Sequence, residues 1–368
     1  MSVGSNSINT QVQASSVPQR ADERSSELSA EVHLDEWIAP ELVDDHGLLR
    51  VGRILEWMDV GGVLAATRYT RRPCVTASVN GVDLLRPVEL GEHVSMAARV
   101  SYTSTRSLGV HVSLRARGNK LLSDSEVMSA YMTFVPLPEP HEVGRYELRR
   151  FEPTTPRDRA LHREGELRRE FRRKLSAGEL SSDPLGAYTP RERPSLLALA
   201  RDFRRRITPF VPEAGRISPR NPECSYVHRV EPVMAAATNF HGTLYGGTLM
   251  RWIENAASLS ARAFADTPMI VMGAHGLDFL RPVNPRLFLH THAMAVRADK
   301  TSVTIRVEVS SEDPLSGASE PSLTGYFTYR PLDRRVEVPE LDVGSDSERS
   351  MCLEASHHLA FAHRLRDA

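Results

Sequence analysis

Apolar residues recur at three- and four-residue spacing in two stretches of the chain, 53–69 and 247–264. This period places them on one face of an α-helix, so each stretch is predicted to form an amphipathic helix. The predicted buried positions are Ile54, Leu55, Met58 and Leu64 in the first helix and Leu249, Met250, Ile253 and Leu259 in the second. We expect both helices to bury this face against a sheet.

Runs of alternating apolar and polar residues, rich in β-branched side chains, follow each helix. A period of two is typical of strands with one buried face. The predicted strands are 74–79, 92–103, 107–116 and 128–137, and then 269–274, 287–296, 302–310 and 323–332. The pattern therefore predicts an α+β fold with one long helix on an antiparallel sheet in each half.

The two halves are copies of one unit. Shifted by 195 residues, "HGLLRVGRILEWMDVGGVLAATRY" (46–69) aligns with "HGTLYGGTLMRWIENAASLSARAF" (241–264). Without a gap, "NGVDLLRPV" (80–88) then aligns with "HGLDFLRPV" (275–283). One register kept over this length indicates an internal duplication. Because each unit is small for a lone domain, we expect the two to pair their sheet edges into one continuous sheet.

The pattern divides the chain into five segments. They are a disordered tail (1–30), a first folded unit (31–138), a charged linker (139–222), a second folded unit (223–335) and a tail with a helix (336–368). The linker predicts helices near 156–178 and 193–207, in which Glu and Arg interleave. Interleaved charges favour a solvated helix over a nucleic-acid-binding patch.

Composition narrows the possible partners and compartments. A net charge of -1 gives no overall field that would attract nucleic acid or an anionic membrane. No apolar run is long enough to span a bilayer, so we expect no stable membrane insertion. Three widely separated cysteines without a CxxC pair argue against a disulfide framework or a metal site and fit a reducing compartment. We expect the cytoplasm, with the mitochondrion as the alternative.

A polar cluster and two glycines, "NFHGTLYGG" (239–247), precede the second helix. The first N–H groups of a helix have no internal acceptor, and a ligand can approach them closely at Gly246 and Gly247, which lack Cβ. The helix dipole adds partial positive charge, and Asn239 has a side-chain N–H to donate to the same point. The sequence leaves two interpretations open: an oxyanion-binding helix start, or a tight loop whose Asn caps a turn.

"TNFHGTLYGGTLMRWIENAA" resembles the signature of acyl-CoA thioesterases with the hotdog fold, and "RILEWMDVGGVLAA" resembles the family's other repeat. Over 40–137 and 230–332 the chain is similar to the animal tandem-hotdog members. The resemblance implies a double hotdog that hydrolyses acyl-CoA to fatty acid and CoA without a cofactor, and a homo-oligomer such as a trimer of double hotdogs. The alternatives are a non-catalytic acyl-CoA-binding hotdog protein and a hotdog enoyl-CoA hydratase.

In such enzymes an Asn before the glycine loop of one hotdog works with an acid on the helix of the other. By motif position these are Asn239 and Asp59, and the duplicated positions are Asp44 and Glu254. Because two carboxylates facing one carbonyl would repel a developing oxyanion, we expect one active site per chain. The predicted catalytic set is Asn239, Asp59, Gly246 and Gly247.

Five further residues are predicted to contact substrate. Thr76 and Ser78 lie on the strand near the first helix, and His241 lies in the glycine loop, where a structural role is the alternative. Arg106 and Lys300 lie in segments that resemble the family's strand near the CoA nucleotide. Other positions are predicted to be structural: Trp57 and Trp252 in the core, Asp83 and Asp278 at turns or on the following Arg, and Arg86 and Arg281, with CoA phosphates as the alternative for the two arginines.

Overall fold

Ten antiparallel strands form one sheet in the computed structural model, which describes residues 31–118, 124–138, 148–180, 195–196 and 219–366. The strands of the first repeat are β1 (Val32–Trp37), β2 (Cys74–Leu84), β3 (His93–Thr103), β4 (Leu108–Arg117) and β5 (Ser125–Pro136). Those of the second are β6 (Val227–Pro232), β7 (Met269–Phe279), β8 (Phe288–Asp299), β9 (Ser302–Glu312) and β10 (Ser319–Pro331). The order across the sheet is β1-β3-β4-β5-β2-β7-β10-β9-β8-β6.

The two repeats join where β2 pairs with β7 in the middle of this sheet. Ser78 lies opposite Asp278, and Val82 lies opposite Ala274. Each of these strands would otherwise leave a row of backbone groups at an open edge. The expectation of one continuous sheet is confirmed, as is the α+β class. Both strands run to Leu84 and Phe279, five residues beyond their predicted ends, because the Gly- and Asp-containing extension is paired across this junction.

Helices α1 (Val51–Thr70) and α3 (Gly246–Ala265) lie side by side on one face of the sheet. Glycines allow them to approach closely. A Cβ added at Gly247 of α3 would lie 2.8 Å from the Cα of Glu56 on α1. Backbone-to-backbone contact of this kind brings the start of α3 directly onto the middle of α1.

Gly247→Ala is expected to destabilise the protein. Alanine is the better helix former, but its methyl group would meet the backbone of Glu56, which can move only if the whole helix moves. We expect a loss of about 1–3 kcal/mol in the free energy of unfolding, measured by urea denaturation. Thr248→Ala, one position along the same helix, is the control and should change stability by less; equal losses would contradict the close-packing argument.

Helices α2 (Pro156–Ser176) and α4 (Asp346–Arg366) cover the opposite, outer face of the sheet. Neighbouring residues of β5 show the two faces, since Phe134 meets Gly62 of α1 whereas Tyr131 meets Gly165 of α2. α2 and α4 touch through Phe171 and Phe361, whose rings stack with centroids 4.1 Å apart. The predicted helix near 156–178 is thus observed, whereas that near 193–207 and the tail 1–30 fall almost wholly outside the described residues.

Two details of the sequence-based pattern are wrong. Leu64 and Leu259, predicted to be buried, are 41% and 51% exposed. At 100° per residue, Leu64 lies about 100° around the helix from the middle of the stripe through Ile54 and Met58, outside its buried face. The edge strands β1 and β6 were not predicted, because the short segments "VHLDEW" and "VHRVEP" are half exposed and interrupted by charges.

Candidate active site

Asp59 lies on α1 of the first repeat and its carboxylate reaches the start of α3 of the second repeat. The side chain is buried, with 2% of the residue exposed. Its Oδ2 accepts a hydrogen bond from the backbone N–H of Gly247 at 2.8 Å. Its Oδ1 accepts one from the hydroxyl of Thr76 on β2 at 2.5 Å. One carboxylate therefore joins three elements and both repeats.

Burial raises the pKa of Asp59 from 3.8 to about 6. Desolvation disfavours the charged form, and the hydrogen bonds from Thr76 and Gly247 offset only part of that effect. Tyr245, the residue before α3, has its pKa raised by burial and by the nearby charges of Asp59 and Glu56. Above pH 6 the site therefore holds a poorly solvated carboxylate with few donors, which is a reactive arrangement.

The N–H groups at the start of α3 divide into two roles. The N–H of Gly247 donates a hydrogen bond to Asp59, and the N–H of Leu249 donates one to the carbonyl oxygen of Tyr245 at 3.1 Å. The N–H of Gly246 has no protein acceptor within the described ranges, and a Cβ added at this residue would lie 3.0 Å from Asp59 Oδ2. The expectation that either glycine polarises a carbonyl is corrected: Gly247 holds the carboxylate, and Gly246 has the free donor.

The Asn239 side chain forms its hydrogen bonds within its own loop. Its Oδ1 accepts from the backbone N–H of His241 at 2.9 Å, and its Nδ2 donates to the hydroxyl of Thr243 at 3.1 Å. Over the described residues, no hydrogen bond joins Asn239 to Asp59. The turn-capping interpretation is therefore what these contacts show. An amide nitrogen carries two hydrogens, however, so one N–H remains for a ligand.

The other predicted substrate contacts lie in different places. Only Thr76 touches Asp59. Ser78 is a correction: its buried hydroxyl accepts a hydrogen bond from Arg172 of α2 on the outer face, because a β-bulge between Thr76 and Ser78 reverses the alternation. Arg106 is exposed on the β3–β4 turn, and the Lys300 side chain is 75% exposed on the β8–β9 turn.

His241 is half buried beside Asn239, and its Nε2 has no hydrogen-bond partner in the part of the chain that the structure describes. Arg86 forms a two-bond ion pair with Glu92, and Arg281 pairs with Glu320, so both make structural contacts. Asp278 contacts Arg172 of α2 at 2.9 Å. Trp57 and Trp252 pack, partly buried, against the core.

The duplicated position has a related but different chemistry. Glu254 is buried, accepts hydrogen bonds from the Tyr329 hydroxyl at 3.3 Å and from the Gly52 N–H, and has its pKa raised by burial to about 7. Thr76 corresponds to Val271, so the short hydroxyl bond is absent here. The sequence did not identify Tyr329 as a site residue, because its counterpart in the first repeat is Phe134, a residue type typical of a buried core position.

A cavity of about 370 Å³ opens beside Glu254. Asp44 and Glu254 both line it, as expected for a pair contributed by opposite repeats. The Asp44 carboxylate accepts hydrogen bonds from the N–H groups of His46 and Leu48 at 2.9 and 3.0 Å. It therefore caps the turn of the first repeat that corresponds to the turn capped by Asn239 in the second. The two halves of the molecule therefore carry the same loop with an amide in one and a carboxylate in the other.

Comparison with known proteins fits this geometry. Residues 46–123 and 241–318 each match the thioesterase superfamily. The mouse protein named acyl-coenzyme A thioesterase 11 is 25% identical over 76% of this chain and 43% of its own length. The rat acetyl-coenzyme A thioesterase is 25% identical over 84% and 52%. The chain thus spans about half the length of these relatives.

A crystal structure of a putative oleoyl thioesterase from Lactobacillus plantarum covers 83% of this chain and 98% of its own, with a TM-score of 0.49 and 11% identity. Fold and site define a double-hotdog protein, in which two helices share one sheet and meet at a buried carboxylate. The chain belongs to the thioesterase superfamily, with one domain of that family in each repeat.

Within the described ranges no cluster of three or more His, Cys, Asp or Glu side chains is arranged to hold a metal ion. Among the same residues no helix has the length and apolarity needed to cross a membrane. Cys74, Cys224 and Cys352 form no disulfide among the described residues.

Proposed function

We propose that this protein hydrolyses acyl-CoA thioesters to a fatty acid and CoA, at one active site per chain built from both repeats. The observation that carries the proposal is the buried Asp59 carboxylate, held against the glycine start of the opposite helix. Relatives named as acyl-CoA thioesterases and hydrolases support the substrate class.

Asp59 acts either as a general base that takes a proton from the attacking water or as a nucleophile. As a nucleophile it attacks the thioester carbon and expels the CoA thiolate, and water then hydrolyses the resulting anhydride to the fatty acid and free Asp59. Gly246 donates its N–H to the carbonyl oxygen, where the helix dipole favours developing negative charge. Asn239 orients the carbonyl or the water with its second amide N–H. The thiolate of CoA leaves readily, so the site needs no strong general acid.

The proposal is tested by following free-thiol release from a panel of acyl-CoAs of different chain length with the purified full chain. Steady turnover is expected. Stoichiometric binding without turnover would replace the proposal with a non-catalytic binding protein, and loss of enoyl absorbance would replace it with a hydratase. The buried acid argues against the first alternative, because Asp59 lies beside the Thr76 hydroxyl and the Gly246 N–H, and binding alone does not require such a reactive set.

The rate should depend on the ionisation of Asp59. With a pKa of about 6, kcat/KM is expected to rise about tenfold per pH unit below pH 6 and to level off above pH 7. Thr76→Val removes a hydrogen bond that lowers this pKa, so the midpoint should move to higher pH. Arg106→Ala, on an exposed turn, serves as a control that should leave the midpoint in place. A midpoint unmoved by Thr76→Val would contradict the assignment.

We further propose that His241, Arg106 and Lys300 contact the substrate beyond the reacting group, and that the domain bounds are 31–138 and 223–335. The related proteins have cytosolic, mitochondrial and chloroplastic names, and we keep the cytoplasm as the proposed compartment. A homo-oligomer fits a fold also found in a hexameric acyl-CoA thioesterase, and a trimer of double hotdogs is the arrangement that we propose.

A further inference from the structure

The cavity beside Glu254 has two kinds of wall. Apolar side chains from both repeats form part of it, among them Ile54, Leu84, Val88 and Met269. The rest of the lining is polar and charged, and its charged members are the acids Asp44, Asp45 and Glu254 and the arginines Arg50, Arg229 and Arg262. A cavity of about 370 Å³ with apolar walls and a few polar groups matches the usual character of a small-ligand site.

Arg50 and Arg262 are cavity-lining side chains that can still form an ion pair with a ligand. The positive charges of Arg50 and Arg262 both act on Glu254 and favour its ionised form, which places them near that carboxyl group. Neither guanidinium has an ion-pair partner in the described part of the chain, whereas Arg229, which also lines the cavity, is paired with Glu231 at 2.7 Å. Two unpaired guanidinium groups next to apolar walls suit an acyl chain with an anionic head.

Hydrolysis is not expected in this cavity. Val271 replaces the hydroxyl that holds Asp59 in place on the other side, and Glu254 instead accepts from the bulky phenol of Tyr329. Asp44 occupies the position of Asn239, so a carboxylate stands where an amide donor stands in the proposed active site. The loop beside this cavity therefore offers no side-chain amide donor to a developing oxyanion.

We propose that this cavity is a second, non-hydrolysing site that binds a fatty-acyl chain with an anionic head group. The proposal rests on the proposed function only for the origin of its ligand, which is either the fatty acid product or the acyl-CoA substrate. The acyl chain lies along the apolar walls contributed by both repeats. Arg262 and Arg50 receive the head group.

Ser258 offers a way to fill the cavity without touching Asp59. It lies half buried on α3 and lines the cavity, and its counterpart in the first repeat is Val63. Ser258→Phe adds a ring to the cavity, and Val63→Phe adds the same ring at the duplicated position on α1. Arg262→Gln removes the charge of an exposed side chain and leaves the cavity's volume nearly unchanged.

The experiment is equilibrium binding of dodecanoate, dodecanol and a non-hydrolysable dodecyl-CoA ether to the full chain, by titration calorimetry. Dodecanoate should bind the wild type and Val63→Phe alike and fail to bind Ser258→Phe. Arg262→Gln should weaken dodecanoate about tenfold and leave dodecanol unchanged, since only the charge-assisted contact is lost. If the ether also binds, and if Ser258→Phe and Arg262→Gln weaken it as they weaken dodecanoate, then the cavity accepts the acyl-CoA substrate as well as the fatty acid product.

Dodecanoate binding that survives both Ser258→Phe and Arg262→Gln, or no binding of any probe to the wild type, would overturn the proposal. Urea denaturation of each variant shows that it is folded, and Arg262→Gln keeps the test decisive if Ser258→Phe does not fold. Thiol release separates the two proposals. If the wild type binds dodecanoate at the cavity but does not hydrolyse acyl-CoA, the second site is supported and the proposed function is contradicted. If it hydrolyses acyl-CoA but binds no probe at the cavity, the proposed function is supported and the second site is contradicted.

Discussion

Asp59→Asn should lower kcat/KM for acyl-CoA hydrolysis by about 10³-fold or more while the protein stays folded, because an amide is neither a base nor a nucleophile. The change preserves shape and bonding: Asn Oδ1 still accepts from the Gly247 N–H, and its Nδ2 donates to the Thr76 hydroxyl, which is both donor and acceptor. Thiol release at saturating and limiting substrate measures the loss.

Glu254→Gln is the matched control for this result. It removes the duplicated buried carboxylate in the same way, on the partner helix of the same pair. We expect it to retain at least half of the wild-type kcat/KM. Retention of about half of the wild-type kcat/KM in both variants would mean two working sites per chain, and a large loss only in Glu254→Gln would move the active site to the cavity beside Tyr329.

Much of the architecture follows from pattern and repetition. The periods of 3.6 and two locate helices α1 and α3 and eight of the ten strands, and one register shift relates the two halves. The pairing of β2 with β7 follows from the need to cover two open edges. The edge strands β1 and β6 are not predicted, because these short segments carry charged side chains that face solvent and break the alternating pattern.

The site could be predicted only in part, because its parts depend on contacts across the helix pair. Asp59 contacts both Thr76 and Gly247, but the division of N–H groups between Gly246 and Gly247 depends on how closely the two helices approach. Ser78 was placed wrongly because a β-bulge is not visible as a change in composition. Tyr329 was overlooked because its hydroxyl matters only beside Glu254.

The asymmetry between the two sides arises from few substitutions. The loop geometry is shared, since Asn239 and Asp44 cap the same turn with their Oδ1 atoms. What differs is chemistry: an amide against a carboxylate, and Thr76 against Val271. A duplicated gene product can keep a scaffold in both copies and lose reactivity in one, because packing and turn formation place weaker demands on these positions than a transition state does.

The two carboxylates should also make the wild type less stable as pH rises. The pKa of Asp59 is raised from 3.8 to about 6 and that of Glu254 from 4.5 to about 7. Each group binds a proton more tightly in the folded state, so its stabilising contribution is complete below about pH 4 and is lost as pH rises to about 7. A shift of two pH units corresponds to about 3 kcal/mol per group.

Asp59→Asn and Glu254→Gln are therefore each expected to exceed the wild type in free energy of unfolding by about 2–3 kcal/mol at pH 8, and to match it more closely at pH 5. Urea denaturation at the two pH values measures the difference. An exposed pair of variants, Asp35→Asn and Glu36→Gln, should show no comparable gain. If the wild type were the more stable protein at pH 8, the buried carboxylates would have to be better solvated than their contacts indicate. A stability gain in both buried variants with loss of turnover only in Asp59→Asn would show that the enzyme keeps a costly ionised acid where hydrolysis requires it.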